Sequence, residues 1–188
     1  GLGDVYKRQM DADSDGVSNV DEYLAGTNPN QDDYPPVLMV PDDIEVVSTG
    51  QLTQVDLGEA TASDARYGVI VPSVDNSGPF PPGPNSVVWS ASDRSGNTVE
   101  AIQKVDVIPL ISLGGSAEVT EGGSGFIVIS LNGAAVQYPV SARLEVMGDA
   151  QAPQDHDLVD QTVEISEGEQ VSIPFSLVND GAGEGPET

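Results

Sequence analysis

SVVWSAS (Ser86–Ser92) and TVEAIQKVDV (Thr98–Val107), separated only by DRSGN (Asp93–Asn97), decide the fold of this chain. In the first segment Val87, Trp89 and Ala91 alternate onto one face, and in the second Val99, Ala101, Val105 and Val107 do the same. A period of two is the mark of a half-buried strand. The five residues between them read as a hairpin turn that uses Gly96 and Asn97, so Asp93, Ser95 and Asn97 are assigned no ion despite their oxygens. Trp89, alternating with Val87 and Ala91, reads as core rather than as a ligand platform.

The same pattern extends outward in both directions. Upstream lie VLMV (Val37–Val40), DIEVVST (Asp43–Thr49), LTQVDL (Leu52–Leu57) and YGVIV (Tyr67–Val71), short β-branched runs divided by polar or glycine turns. Pro109 and Gly114-Gly115 mark a boundary, after which strands resume with GFIVISL (Gly125–Leu131), VSARLEVM (Val140–Met147), TVEIS (Thr162–Ser166) and QVSIPFSLV (Gln170–Val178). Val140, Ala142, Leu144 and Val146 face inward in one of these, and Val171, Ile173, Phe175 and Leu177 in another; Pro174, on the outward set, belongs at an edge or bulge. Strands at this spacing without a helical period predict an all-β chain of tandem antiparallel β-sandwiches.

One stretch before these strands carries chemistry. DADSDGVSNVDE (Asp11–Glu22) sets carboxylates at positions one, three, five and twelve of a loop (Asp11, Asp13, Asp15, Glu22), with Gly16 at six and the Val17 carbonyl at seven. Alternate side chains converge on one ion when the backbone wraps around it, and that turn needs a residue tolerant of positive φ. Asn19, at position nine, would contribute directly or through water. Oxygen donors in this order point to calcium, which takes about six to eight of them. Val20–Ala25 predicts a short helix ending at Gly26, and QDDYPP (Gln31–Pro36) reads as a linker.

Composition narrows the partners. Among 188 residues, 31 acids against 6 bases give a formal net charge of −25, which argues against nucleic acid and anionic membrane and favours cations. No cysteine and one histidine leave neither disulfides nor a zinc ligand set, so calcium is the one staple available. No apolar run reaches the ~18 residues of a membrane span. Residues 1–10, opening GLGDVYKRQ, read as a sequencing scar or linker, and the missing initiator Met together with the Gly-Pro-Glu-Thr end reads as an interior fragment of a longer protein.

Three resemblances accompany this reading. The loop continued as EYLAGTNPNQDD, residues 11–33, resembles the thrombospondin type 3-like calcium repeats of secreted bacterial proteins. PPVLMVPDDIEV, TASD (Thr61–Asp64), FPPGPNSVVWSASDRSGN and a final strand with Gln103 together resemble a hyalin repeat (HYR) domain over residues 34–109, which implies an immunoglobulin-like sandwich from an extracellular or adhesive protein. Over residues 110–188, VTEGG with Glu121, DHD with Asp155 and Asp157, Gly168-Glu169, and NDGAGEGPE with Asp180, Glu184 and Glu187 resemble a Calx-beta domain lacking its closing strand. That resemblance implies a second calcium site formed by Glu121, Asp155, Asp180 and Glu184. His156 stands where the family has an aromatic residue, and reads as a packing or loop residue rather than a general base.

Two functions follow as expectations. The first is a non-catalytic, calcium-rigidified stalk or adhesion module of a large secreted or cell-surface bacterial protein, with other surface proteins or glycans as partners. The alternative is an accessory carbohydrate- or substrate-binding region of a secreted hydrolase whose catalytic domain lies elsewhere. The chain carries no HExxH, no GxSxG and no Cys/His pair, and aromatics make up only 5% of it, so it is not expected to be an enzyme.

Overall fold

The computed structural model describes residues 10–116, 118–148, 150 and 152–179. Most of the scar or linker segment, residues 1–9, lies outside them. Among the described residues the elements are one helix, α1 (Asn19–Ala25), and twelve strands: β1 (Val37–Met39), β2 (Ile44–Val47), β3 (Thr61–Asp64), β4 (Gly68–Ile70), β5 (Ser73–Val74), β6 (Gly83–Ser92), β7 (Thr98–Ile108), β8 (Ile111–Gly115), β9 (Ser124–Leu131), β10 (Val140–Leu144), β11 (Gln161–Ile165) and β12 (Gln170–Ser176). The protein is all-β, and every strand pair whose register is resolved is antiparallel.

The chain forms two compact units. The first comprises residues 10–44, Val55–Gly78 and Asn85–Val105; the second comprises Glu45–Gln54, Pro79–Pro84 and residues 106–179. No single cut separates them, because β2, β6 and β7 each have residues in both. The small sheet β1-β3-β4 belongs to the first unit, and the four-stranded sheet has the order β2-β7-β6-β5. The face read from SVVWSAS is buried as expected: Val87, Trp89 and Ala91 are all core, together with Val55, Leu57, Ala62 and Val105.

On β7 the alternation holds but the polarity is partly reversed. Gln103, on the inward face with Val105, is fully buried, while its neighbour Ile102 is 63% exposed. The Gln103 side chain accepts the Trp89 indole N–H at 3.0 Å and donates to the backbone carbonyls of Asp42 (2.8 Å) and Leu57 (3.1 Å). A buried amide with all three bonds made joins strand, core and loop.

The second unit has its own core. Ile129 and Leu131 of β9 meet Leu144 of β10 and Val163 and Ile165 of β11, with Ala135 also buried and Val171 and Ile173 packed against them. The sheet β12-β9-β8 and the pair β10-β11 therefore share one hydrophobic interior, the arrangement of a sandwich. Pro174 sits in β12, an edge strand of its sheet, where a missing N–H is tolerated.

Some sequence expectations need correction. LTQVDL is not a strand: Thr53 makes one isolated bridge to Phe80, and the Asp56 carboxylate takes the Gly58 N–H, a local bond that competes with a ladder. VSARLEVM is strand only to Leu144, because the Val146 N–H turns to Asp160 Oδ1. Gly114-Gly115, read as a boundary, ends β8 instead, paired with Val128 and Ile127. A Cβ on Gly115 would stand 2.2 Å from the Phe126 carbonyl oxygen, so glycine is what lets these strands approach.

Candidate metal centre

The loop at residues 11–22 folds as its spacing demands. Ser14 (φ 65°) and Gly16 (φ 93°) take left-handed conformations, turning the chain so that the carboxylates of Asp11, Asp13 and Asp15 bring oxygens within 4.8 Å of one another. Backbone N–H groups hold this shape: Asp15 N donates to Asp11 Oδ1 and Asp13 Oδ1, Gly16 N to Asp11 Oδ2, and Val17 N to Asp15 Oδ1. Asn19 pins the start of the loop, its Oδ1 accepting Ala12 N–H at 2.9 Å while its own N–H reaches the Met10 carbonyl. Helix α1 then begins at the Ser18 cap and ends at Gly26, whose left-handed backbone returns an N–H to the Glu22 carbonyl.

That helix delivers Glu22 into the interior. Glu22 is completely buried, Asp13 and Asp15 are 4% and 6% exposed, and Asp11 is open to solvent. Among the described residues, four buried oxygens here have no hydrogen-bond partner: Asp13 Oδ2, Asp15 Oδ2, Glu22 Oε1 and Glu22 Oε2. Unpaired carboxylates in a dry site are strongly unfavourable unless a proton or a cation completes them.

Their ionisation reflects this. Burial pushes the Glu22 pKa above the ordinary carboxylate range, and the charges of Asp13, Asp15, Asp11 and Asp33 push it the same way. Burial also raises Asp13; the Asp15 N–H opposes that, and the carboxylates of Asp15 and Asp11 add to it.

A second acidic group, which the sequence reading did not assign, lies in the same unit. Asp32, Asp64 and Asp93 bring one carboxylate oxygen each within 4.8 Å of the others. Asp32 is fully buried although it sits in QDDYPP, which the sequence presents as a linker. Burial raises its pKa; the Tyr34 N–H opposes this, and the charges of Asp64, Asp93 and Asp15 reinforce it. Burial works against the Asp93 carboxylate too, but the Asn97 side-chain amide and the N–H groups of Asn97, Gly96 and Ser95 prevail and hold its pKa low. The hairpin reading of Asp93–Asn97 therefore stands, with a further property attached.

These shifts set a pH dependence. For metal-free protein, the raised groups Asp13, Glu22 and Asp32 hold more protons folded than unfolded, so stability falls as pH rises from about 4 towards 7. Asp93 acts with the opposite sign at the acid end. Urea midpoints of metal-stripped protein measured across that range should decline with pH, and a flat or rising profile would contradict the buried, unpaired state of these groups.

The other implied calcium site is only partly visible. Asp180 and Glu184 lie outside the described residues. Glu121 is exposed in the turn before β9, and Asp155 is half-buried before the His156–Leu177 bridge. The backbone brings their loops together, since Leu177 N donates to the Gly123 carbonyl and Val178 N to that of Asp155. His156 is 9% exposed, with Nδ1 unpartnered among the described residues.

The two acidic groups, Asp11/Asp13/Asp15 and Asp32/Asp64/Asp93, have the donor chemistry and spacing to bind a metal ion. Sequence spacing located the first; the second depends on residues separated by 32 and 29 positions, and no local pattern announces it. Comparison of the chain with known protein families, curated proteins and solved structures finds no match in any of the three.

Proposed function

We propose that residues 11–22 bind calcium and that the chain is a non-catalytic, calcium-stiffened β module from the stalk or adhesive region of a secreted or cell-surface protein. The observation that carries this reading is the set of four buried carboxylate oxygens on Asp13, Asp15 and Glu22 that have no partner among the described residues. The donors are all hard oxygens, which suit calcium or magnesium, and Glu22 at position twelve can supply both of its oxygens, as a large ion of flexible coordination accepts. Magnesium is smaller and demands a near-octahedral shell with several waters.

The physical role is rigidification. Without an ion the carboxylates repel, by about 4 kcal/mol per close pair near a protein surface. With one, the same charges fix the loop and helix α1 in place. Residues 34–109 and 110–188 are then HYR-like, immunoglobulin-like and Calx-beta-like sandwiches, Glu121, Asp155, Asp180 and Glu184 are the ligands of a further calcium site, and other surface proteins or glycans are the partners.

Titration calorimetry on metal-stripped protein tests the reading. Calcium should bind at the loop with a dissociation constant of about 0.1–1 mM, the range of extracellular modules, and magnesium more weakly. Absence of any heat at millimolar calcium would remove the proposal.

A further inference from the structure

We propose a second cation site, for calcium, formed by Asp32, Asp64 and Asp93, where an ion clamps the segment after the calcium loop onto the first β unit. The three carboxylates come from separate places: Asp32 from residues 31–36, Asp64 from the end of β3, and Asp93 from the turn between β6 and β7. Oxygens about 2.4 Å from one calcium stand at most about 4.8 Å apart, so the observed spacing fits ligands of a common ion.

Independent of the cluster itself, Asp32 is fully buried and its Oδ2 has no hydrogen-bond partner among the described residues. Everything else about the group is preorganised. Asp32 Oδ1 accepts Tyr34 N–H, Asp64 Oδ1 accepts the N–H groups of Arg66 and Tyr67, and Asp93 accepts from Gly96 and Asn97. Asn97 Nδ2 donates both to the Asp32 carbonyl and to Asp93 Oδ2, each at 2.8 Å, holding segment and hairpin together.

The nearby arginines do not supply the missing charge. Arg66 and Arg94 lie over the Tyr67 ring at 5.4 and 6.0 Å, and among the described residues neither forms an ion pair with the three aspartates. Three carboxylates are about half of a calcium shell, so water completes it. In a chain without cysteine, such an ion does the work of a cross-link.

The site is separable from the loop site, and residue-resolved NMR tests it. Calcium added to metal-stripped, 15N-labelled protein to about 10 mM should shift the amides of Tyr34, Arg66, Tyr67, Gly96 and Asn97, which donate to the three carboxylates, in a saturable manner. Asp32→Asn, and separately Asp64→Asn, should abolish those shifts while leaving the calcium response of Gly16 in the loop; Glu22→Gln should do the reverse. Retained spectral dispersion establishes that each variant is folded. Amides that stay still at 10 mM calcium, that still respond in both aspartate variants, or that lose their response in Glu22→Gln would overturn the proposal. A silent loop with responsive Asn97 would instead sink the loop reading and leave this one standing.

Discussion

Removing calcium from the loop should lower the melting temperature of the first unit by about 6–20 °C relative to 10 mM calcium, and Glu22→Gln should abolish that share while leaving the stabilisation contributed by the Asp32, Asp64 and Asp93 site. At 10 mM, an ion with a dissociation constant of about 0.1–1 mM is present at about 10–100 times that constant and stabilises the folded form by about 1.4–2.7 kcal/mol, and each kcal/mol moves the midpoint of a domain this size by about 4–8 °C. The sign of the Glu22→Gln effect is the sharper part. Glu22 is completely buried, and neither of its oxygens has a partner among the described residues. Without metal, its charge faces those of Asp13, Asp15 and Asp11 in a dry site, so neutralising it relieves repulsion. The variant should therefore melt above the wild type in chelator and below it in calcium. Scanning calorimetry of both proteins in both buffers checks this, and parallel curves without a crossover would show that Glu22 does not serve an ion.

Gln103→Leu destabilises the first unit by about 2–6 kcal/mol, a large part or the whole of the stability of a marginal domain. Leucine matches the volume of glutamine roughly and suits a buried β position, so hydrophobicity alone would forecast a gain. It leaves the buried Trp89 indole N–H and Leu57 carbonyl, and the part-buried Asp42 carbonyl, without the bonds they now make, and each buried polar group left unsatisfied costs about 1–3 kcal/mol. The adjacent Ile102→Gln is the control: Ile102 is 63% exposed, and a surface change of this kind stays within about 0.5 kcal/mol. Urea midpoints of the two variants separate the faces of β7. A tolerant Gln103 or a damaging Ile102 would contradict the register.

The β character of the chain was legible because alternation is local. Val87, Trp89 and Ala91 need only their neighbours to declare a face, and that face is buried. The segments that misled did so through contacts that spacing does not report: Asp56 taking the Gly58 N–H within LTQVDL, Asp160 taking the Val146 N–H at the end of β10, and the close approach of Phe126 to Gly115. Gln103 shares the inward parity of Val105, yet its polarity hides its burial from any reading by hydrophobicity.

By itself the sequence determined the strands that alternate and the loop of Asp11, Asp13, Asp15 and Glu22, since both are set by the geometry of a dozen or fewer consecutive residues. Only the tertiary structure decided that Glu22 and Asp32 are sealed from water, that Asp32 meets Asp64 and Asp93, and that Gln103 joins Trp89 to two distant carbonyls. Those facts arise where segments far apart in the chain are packed together, and burial and charge proximity are properties of that packing, with no counterpart in local spacing.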